Sequence, residues 1–460
     1  MTRSAGGVAL AAVVAAIIAW AGPSVFPTGT TIYDPGRAWN GYTVLSPLAG
    51  DAAIVIDMNG NVVKRWAGYN SSAGGPVRVL PGGVVIGAAG TNAGKQESLA
   101  LIARDFEGKE LWRFDHNEQI TGPGGAMTWA LRQHHDWQRE DFPAGYYSPG
   151  ATPAPPPNTA AKTLALTHTT HTRPAVAEEM MLEDDRIIEL AADGRVTWEW
   201  VVSDHIEDLH FDKDAREAIH TGNGGGDAGR GAFDWFHMNS ATYVGPNHWY
   251  DEGDKRFAPE NVVISSRAAS IVAIVARDGK IVWQIGPDYG ATPELRALRQ
   301  VIGQHHAHLI PKGLPGAGNL LVFDNGGASG YGRPNAIALN GQNIYARPTS
   351  RVLEIDPVTL KLVWSYTSPT FFATNISGAQ RLANGNTLVT EGPDGRLFEV
   401  NKDGVIVWEY VYPVFSGGGK GRPTNSVYRA YRVPYAWIPQ LARPVEQTVT
   451  PPKVEEFRVK

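Results

Sequence analysis

Three histidines lie within four positions of one short apolar segment, QHHAHL at residues 304–309. All 13 histidines of the 460-residue chain fall between His116 and His308. Near neutral pH an imidazole can act as a nucleophile, as an acid or base, or as a metal ligand. The clustering therefore predicts a functional site, which the fold must assemble.

Two other segments match QHHAHL in their place within a repeat, HHDWQ at 134–138 and FHMNSA at 236–241. In this alignment His135, His237 and His305 coincide on an innermost strand. Successive side chains of a strand point to opposite faces, so the neighbouring histidines are expected to face elsewhere. These neighbours are His134, His306 and His308.

A guanidinium follows the apolar run at 262–264, at Arg267 of VVISSR. Its planar fork suits a sulfate, phosphate or carboxylate group. A single histidine in a channel is most often a packing residue with a hydrogen-bond partner. Three histidines in register, together with Arg267 and Asn239, instead favour a chemical site.

Two other interpretations stay open. Three imidazoles around a channel also suit Zn²⁺ or a similar ion, which would make the protein a metal-binding propeller hydrolase. Arg267 argues against a metal, because it would repel a cation. The third interpretation is an exported binding module without chemistry.

A hairpin that ends in tryptophan recurs six times and organises the chain. The six residues are Trp66, Trp112, Trp198, Trp283, Trp364 and Trp408. Most of these hairpins turn at Asp-Gly or Asn-Gly, and a second strand pair such as QRLANGNTLVTEG precedes most of them. We therefore expect an all-β, six-bladed β-propeller with the tryptophans in its core. The N-terminal strands and the C-terminal segment should share a blade, because this closure removes open sheet edges.

The longer spacings between these tryptophans predict long loop insertions on the middle blades. The expected insertions are residues 116–163, 205–234, 245–260, 287–303 and 327–350. The first contains the Pro-rich run DFPAGYYSPGATPAPPPNTAA, which cannot join a hydrogen-bonded ladder. Such loops would shape an entrance.

Composition restricts the class of protein. Charged residues make up 19% of the chain and the formal net charge is −5, so the basic surface of a nucleic-acid-binding protein is missing. Arg3 and an apolar run that ends at Ala21 are typical of a secretory signal, although the run is also just long enough for an uncleaved anchor. We expect residues 1–21 to be a signal peptide or N-terminal anchor and residues 22–460 to form the propeller domain. The protein would be periplasmic or otherwise extracytoplasmic.

Several segments together resemble one family: DWFHMNS, VVISSR, GQHHAHL with LLVFDNG, and NSVYRAYRVPYAW. With these segments the chain resembles the bacterial arylsulfate sulfotransferases, which are exported six-bladed propellers. The resemblance implies transfer of a sulfuryl group from an aryl sulfate to a phenolic acceptor through a sulfated histidine. It also implies that the reaction is PAPS-independent, with no nucleotide sulfate donor.

The family's roles can be carried over by position. The transient nucleophile would be His305, and the catalytic set would be His305, His237, Arg267 and His135. The substrate-binding set would be Asn239, His134, His306 and Asn325. We expect no cofactor and no metal. The partners would be small-molecule donor and acceptor, with no nucleic acid, a membrane only through an N-terminal anchor, and a homodimer left open.

These residue types suit the chemistry. Sulfuryl transfer resembles phosphoryl transfer in its loose transition state, so catalysis depends on positioning and on charge complementarity. His305 must be neutral to attack sulfur, which an ordinary histidine pKa of about 6.5 permits. A phenol leaves with a pKa of about 10, and an imidazolium at His237 or His135 would protonate the departing oxygen.

Overall fold

The computed structural model describes residues 27–48, 50–70, 75–91, 96–121, 125–140, 142, 161–222, 232–417 and 423–450. Apolar, β-branched runs such as VVISS and IVAIV form fully buried strands. Antiparallel pairing joins the strands into six sheets of four or five strands each. The expected all-β, six-bladed propeller is confirmed.

The strands follow one another around the ring, and each sheet is named as a blade. The first strands are β1 (Gly29–Tyr33), β2 (Tyr42–Pro47), β3 (Ala52–Ile56) and β4 (Val62–Ala67). Blade 2 contains β5 (Arg78–Leu80), β6 (Val84–Ala89), β7 (Ala100–Arg104) and β8 (Glu110–Phe114). A separate hairpin follows, β9 (Glu118–Thr121) with β10 (Met127–Ala130). Blade 3 contains β11 (Gln133–Arg139), β12 (Thr163–Thr172), β13 (Met181–Leu190) and β14 (Val196–Val201).

The second half of the ring repeats this plan. Blade 4 contains β15 (Met238–Tyr243), β16 (Val262–Ser266), β17 (Ile271–Val275) and β18 (Ile281–Ile285). The next strands are β19 (His305–Leu309), β20 (Leu320–Asp324), β21 (Ser329–Tyr331), β22 (Gln342–Tyr345), β23 (Arg351–Ile355) and β24 (Leu362–Tyr366). Blade 5 is built from β19, β20, β23 and β24, while β21 and β22 pair separately. The last strands are β25 (Gly378–Arg381), β26 (Thr387–Glu391), β27 (Arg396–Val400), β28 (Ile406–Val411) and β29 (Val427–Val433).

Both ends of the described chain close the ring. The last strand, β29, pairs with β2 and completes blade 1 in the order β29-β2-β3-β4. Blade 6 is built from β25, β26, β27 and β28, and the first strand, β1, pairs with β28 as its outer strand. The prediction that N-terminal strands and the C-terminal segment share a blade is confirmed. The closure also places β29 at the central axis.

The core is divided among the blade interfaces. The described residues form six buried hydrophobic clusters, one between each pair of neighbouring blades. For example, Leu164 of blade 3 and Ile264 of blade 4 belong to one cluster. Each blade is therefore stabilised by burying its two faces against its neighbours.

The repeated tryptophans connect neighbouring blades. For five of them, the indole Nε1 donates a hydrogen bond to a backbone carbonyl in the β-hairpin turn of the next blade. The five pairs are Trp66 to Asp105 and Phe106, Trp198 to Arg277, Trp283 to Pro357, Trp364 to Lys402, and Trp408 to Met58. Of the six tryptophans, Trp66, Trp283 and Trp408 are buried, and the other three are half-buried. The repeated tryptophan is thus a contact between blades as well as a core residue.

All five expected insertions contain regular elements. Residues 116–163 are not a single loop insertion, because they include the β9–β10 hairpin and β11, the innermost strand of blade 3. Three carry short helices, α1 (Lys213–Thr221), α2 (His248–Asp251) and α3 (Pro293–Leu298), and 327–350 carries the β21–β22 hairpin. Among the described residues, 3₁₀ helices span Val202–His205, Lys255–Phe257, Gly392–Asp394 and Tyr435–Trp437. The Pro-rich run lies mostly outside the described residues, as does the N-terminal segment 1–26. Within the described ranges, no helix is long and apolar enough to cross a membrane.

Candidate active site

The three histidine segments lie on neighbouring innermost strands. HHDWQ belongs to β11 and QHHAHL contains all of β19, while FHMNSA leads into β15 between them. Strand β15 contacts both β11 and β19 around the axis. In each of the three blades, the pairing register between the innermost strand and the adjacent second strand is irregular. Such β-bulges redirect side chains, so the simple alternation of faces does not hold here.

Three histidines at or beside these bulges have a left-handed backbone conformation. His135 has a φ of 54° and His237 a φ of 49°, but in QHHAHL the corresponding residue is His306, with a φ of 53°. The alignment of the repeats in the sequence instead matches His305 with the other two. By backbone conformation the match is therefore shifted by one residue in blade 5.

His305 nevertheless lies with His135 and His237. The rings of His135 and His237 meet edge to face, with their centroids 4.8 Å apart. Burial lowers the pKa of His135 well below its ordinary value, and the charges of His237, His134 and His305 lower it further. His135 is therefore neutral at neutral pH. The structure brings the three predicted histidines to one place.

His305 is oriented by an amide from the second strand of its blade. Its Nδ1 lies 2.7 Å from Asn325 Oδ1 and 3.1 Å from the carbonyl oxygen of Gly303. The Nδ2 of Asn325 donates to the carbonyls of Ala373 and Ile376, which assigns Oδ1 as the atom facing His305. Because both partners of Nδ1 are acceptors, Nδ1 carries the proton and Nε2 keeps its lone pair.

Electrostatics keep His305 neutral. Burial lowers its pKa well below the ordinary value, although the hydrogen bond to Asn325 opposes this effect. The positive charges of Arg267 and Arg429 lower the pKa further. A neutral imidazole with a free Nε2 is the form that can attack an electrophile.

Arg267 supplies an unpaired cation. Its backbone N–H donates to the carbonyl of His237 at 3.0 Å, which fixes it beside the histidines. Within the described residues, its half-buried guanidinium has no hydrogen bond or ion pair. Burial lowers the pKa of Arg267, although the negative charge of Asp234 opposes this effect. Such a guanidinium is available for an anionic ligand.

Asn239 also has unused hydrogen-bonding capacity. Its Nδ2 donates to the carbonyl of Gln304 at 2.6 Å, while its buried Oδ1 has no partner among the described residues. The amide therefore links β15 to the segment that carries His305. An amide oxygen accepts hydrogen bonds, so in this orientation it suits a ligand hydroxyl better than a sulfuryl oxygen.

The chain also matches a known protein family. The model of the arylsulfotransferase family (ASST) matches residues 157–410, which is more than half of the chain. The chain belongs to the arylsulfotransferase family. The matched range includes His237, Arg267 and His305, and it precedes β29. No curated protein matches the chain at a significant level.

Solved structures are similar only at a distance. A protein of unknown function from Bacteroides caccae shares 11% identity, with a TM-score of 0.38, over 86% of this chain and 100% of its own. A streptogramin B lyase shares 12% identity, with a TM-score of 0.38, over 88% and 92% of the two chains. The dihydro-heme d1 dehydrogenase NirN shares 13% identity, with a TM-score of 0.37, over 90% and 78%. At these TM-scores the likenesses carry no argument about activity.

One acidic residue of the site was missed in the sequence. Asp234 Oδ2 lies 2.5 Å from His237 Nδ1. Burial would raise the pKa of Asp234, but the charge of His237 and this hydrogen bond lower it below its ordinary value. The spacing Asp-x-x-His in DWFHMNS was the signal that could have identified the pair.

Strand β29 contributes further residues that the sequence analysis did not assign. The Tyr428 hydroxyl donates to the carbonyl of His135 at 2.8 Å, and Arg429 acts electrostatically on His305. Both lie in NSVYRAYRVPYAW, which supported the family resemblance without suggesting roles for them. Charged residues in an innermost apolar strand were the available signal.

His134 lies behind the three histidines. Its Nδ1 lies 2.8 Å from His135 Nδ1, and its ring stacks on His168 with centroids 3.6 Å apart. Its Nε2 lies 3.2 Å from Asp185 Oδ1. Burial and the charge of Asp234 raise the pKa of Asp185 to about 7. His134 is thus enclosed by protein groups.

His306 and Asn325 were also expected to contact substrate. His306 packs against His308, with ring centroids 4.4 Å apart, and against Tyr431 at 5.7 Å. The amide of Asn325 is occupied by His305 and two backbone carbonyls. The structure therefore places Asn325 where it orients the candidate nucleophile.

Two groups of buried side chains could approach a metal ion, and both include His168. The first is His134, His168 and Asp185, and the second is Glu97, His168 and Glu183. In the first, the parallel stacked rings direct their nitrogen lone pairs side by side, whereas a zinc ion needs ligands that converge tetrahedrally. In the second, Arg132 already donates to Glu97 at 2.7 Å. Neither group contains His135, His237 or His305.

Proposed function

We propose that the protein is a PAPS-independent aryl sulfotransferase that moves a sulfuryl group from an aryl sulfate to a phenol through sulfated His305. The observation that carries the proposal is the bond between His305 Nδ1 and Asn325 Oδ1. It leaves Nε2 as the free nucleophilic atom. Membership of the arylsulfotransferase family supports the same reaction class.

In the first half-reaction, the Nε2 lone pair of His305 attacks sulfur and the bond from sulfur to the phenolic oxygen breaks. The departing oxygen takes a proton from the imidazolium of His237. In the second half-reaction, the acceptor phenol returns a proton to His237 and its oxygen attacks sulfur. The nitrogen–sulfur bond breaks, and neutral His305 is restored.

The choice of His237 as the acid rests on its partner. The carboxylate of Asp234 stabilises a positive charge on His237, at a separation of 2.5 Å. In contrast, burial and neighbouring histidines lower the pKa of His135 well below the ordinary value, which disfavours its charged form. We therefore assign proton transfer to His237 and a packing and pocket-forming role to His135.

Arg267 binds the sulfuryl oxygens in this mechanism. The charge that develops on those oxygens is stabilised by a guanidinium that has no other partner among the described residues. A resident metal ion at the same place would be repelled by Arg267 and by Arg429. We also propose that the protein is exported, because the N-terminus has the pattern of a secretory signal.

The test uses a chromogenic aryl sulfate and intact-protein mass spectrometry. Donor alone should add one sulfuryl group to the protein, on the peptide that contains QHHAHL, and kinetics with two substrates should be ping-pong. His305→Ala should lose both the adduct and turnover. His248→Ala, on the surface helix α2, makes the same substitution outside the channel and should behave as the wild type.

Three results would contradict the proposal. An adduct on the peptide of residues 134–138, with normal turnover in His305→Ala, would move the nucleophile to blade 3. Loss of activity on chelation with recovery on adding Zn²⁺ would favour the metal-dependent hydrolase. A wild-type protein that binds aryl sulfates without turnover would be a binding module.

A further inference from the structure

Arg429 has one edge of its guanidinium free inside the protein. The residue lies on β29 and is 1% exposed. Its Nη1 donates to the Tyr431 hydroxyl at 3.3 Å and lies 3.5 Å from Asp136 Oδ2. Its Nε and Nη2 are buried and have no hydrogen-bond partner in the described part of the chain. These two atoms form the edge that can bind two oxygens of one oxyanion.

The charges around Arg429 do not balance. Arg78 is also buried, and its Nη2 donates to Asp136 Oδ1 and to the Tyr431 hydroxyl, both at 3.0 Å. One carboxylate, Asp136, is therefore shared by two guanidinium groups. A buried and uncompensated positive charge is unfavourable. An anion bound at the free edge of Arg429 would neutralise it.

Arg429 also faces the strand of the candidate nucleophile. A Cβ atom added to Gly378 of β25 would lie 2.9 Å from His306 Nδ1 and 3.1 Å from Arg429 Cγ. The glycine therefore allows the stem of Arg429 to lie beside QHHAHL. Electrostatics agree with this position, because Arg267 and Arg429 are the two arginines that lower the pKa of His305.

We propose that Arg429 forms an oxyanion site, in which its Nε and Nη2 bind two oxygens of the sulfuryl group that His305 receives. The proposal rests on the proposed function. Arg267 comes from blade 4 and Arg429 from the strand that completes blade 1, so the sulfuryl group would be bound by guanidinium groups from two different blades. Arg429 would thus act only when the ring is closed.

The test compares Arg429→Lys with the wild type. Lysine keeps the positive charge but loses the two-pronged edge, so kcat/KM for an aryl sulfate should fall by about 10²-fold or more. Inhibition by inorganic sulfate should weaken by about 10-fold, because one bidentate contact is lost. Arg396→Lys is the matched control, since Arg396 is buried but bound by Glu391 and Glu409. It should change stability and leave kcat/KM and sulfate inhibition unchanged.

A second variant tests the proposal if Arg429→Lys does not fold. Gly378→Ala would displace the stem of Arg429 without removing a charge, and it should also weaken sulfate inhibition. Normal kcat/KM and normal sulfate inhibition in a folded Arg429→Lys, or in Gly378→Ala if the lysine variant does not fold, would overturn the proposal.

Failure of the Arg429 anion site and failure of the proposed function can be told apart. If the wild type forms no sulfuryl adduct and has no turnover, the proposed function fails. Calorimetric binding of inorganic sulfate to the wild type and to Arg429→Lys then tests the anion site directly, and equal affinities would overturn it.

Discussion

Replacing Asp234 with asparagine tests how the leaving phenol is protonated. The asparagine Oδ1 can still accept from His237 Nδ1, so the orientation of the ring is kept while the negative charge is removed. The wild-type contact is 2.5 Å long and the Asp234 side chain is 10% exposed. The contact is therefore a charge-assisted hydrogen bond that solvent screens only partly.

The magnitude follows from this bond. A hydrogen bond to a charged group contributes about 1.5–3 kcal/mol, which corresponds to a factor of about 10 to 150 in rate if it is lost from the acid form of His237. We therefore expect kcat/KM for phenyl sulfate to fall about 10- to 150-fold in Asp234→Asn. General acid catalysis as a whole contributes about 10²- to 10⁴-fold, so the variant should keep some activity.

The assay compares two donors. Phenyl sulfate needs a proton on its leaving oxygen, whereas a nitrophenyl sulfate leaves readily as the anion. The loss should be large for phenyl sulfate and much smaller for the nitrophenyl ester. Asp208→Asn is the matched control, because Asp208 lies 3.3 Å from His205 in the same i, i+3 spacing on the surface.

Two outcomes would refute the reasoning. Unchanged kcat/KM for phenyl sulfate would mean that Asp234 does not support proton transfer. Equal losses with the two donors would mean that Asp234 holds the site in place and does not act through the proton.

Two further predictions concern stability and export. Burial and the charge of Glu391 raise the pKa of Asp394 to about 7, and its Oδ1 has no partner among the described residues. Its folded-state pKa lies above the unfolded value of about 3.9, so the stabilising proton is present at low pH and is lost as pH rises through about 7. Asp394→Asn mimics the protonated form. In chemical denaturation, this variant should therefore raise the free energy of unfolding by about 1 kcal/mol or more at about pH 8 and by little at about pH 4. An equal gain at both pH values would contradict the titration of Asp394. For export, N-terminal sequencing of protein recovered from outside the cytoplasm should begin near Gly22, and a soluble cytosolic protein with an intact Met1 would exclude a signal peptide.

The sequence by itself determined the architecture and most members of the site. Apolar β-branched runs, tight-turn dipeptides and six recurring tryptophans are local signals, and their number sets the number of blades. The strand order then follows, because each hairpin pairs with its sequence neighbour. His135, His237 and His305 could be placed on innermost strands for the same reason. Helix α1 was missed, although Asp212 caps its start and Gly222 its end, because the surrounding insertion was interpreted as a loop.

Tertiary structure decided which atoms meet at the axis. The alternation of side chains along a strand predicts which face a residue points to only where the strand has no bulge. Strands β11, β15 and β19 all have an irregular register. Asn325 reaches His305 across 20 positions, and Tyr428 reaches His135 across 293. Contacts at these separations leave no local periodic pattern, and Arg429 reaches the site only because ring closure carries β29 to the axis. The chemical type of each residue could therefore be taken from the sequence. The tautomer of His305 and the ion-pair partners of the charged residues instead depend on the closed propeller.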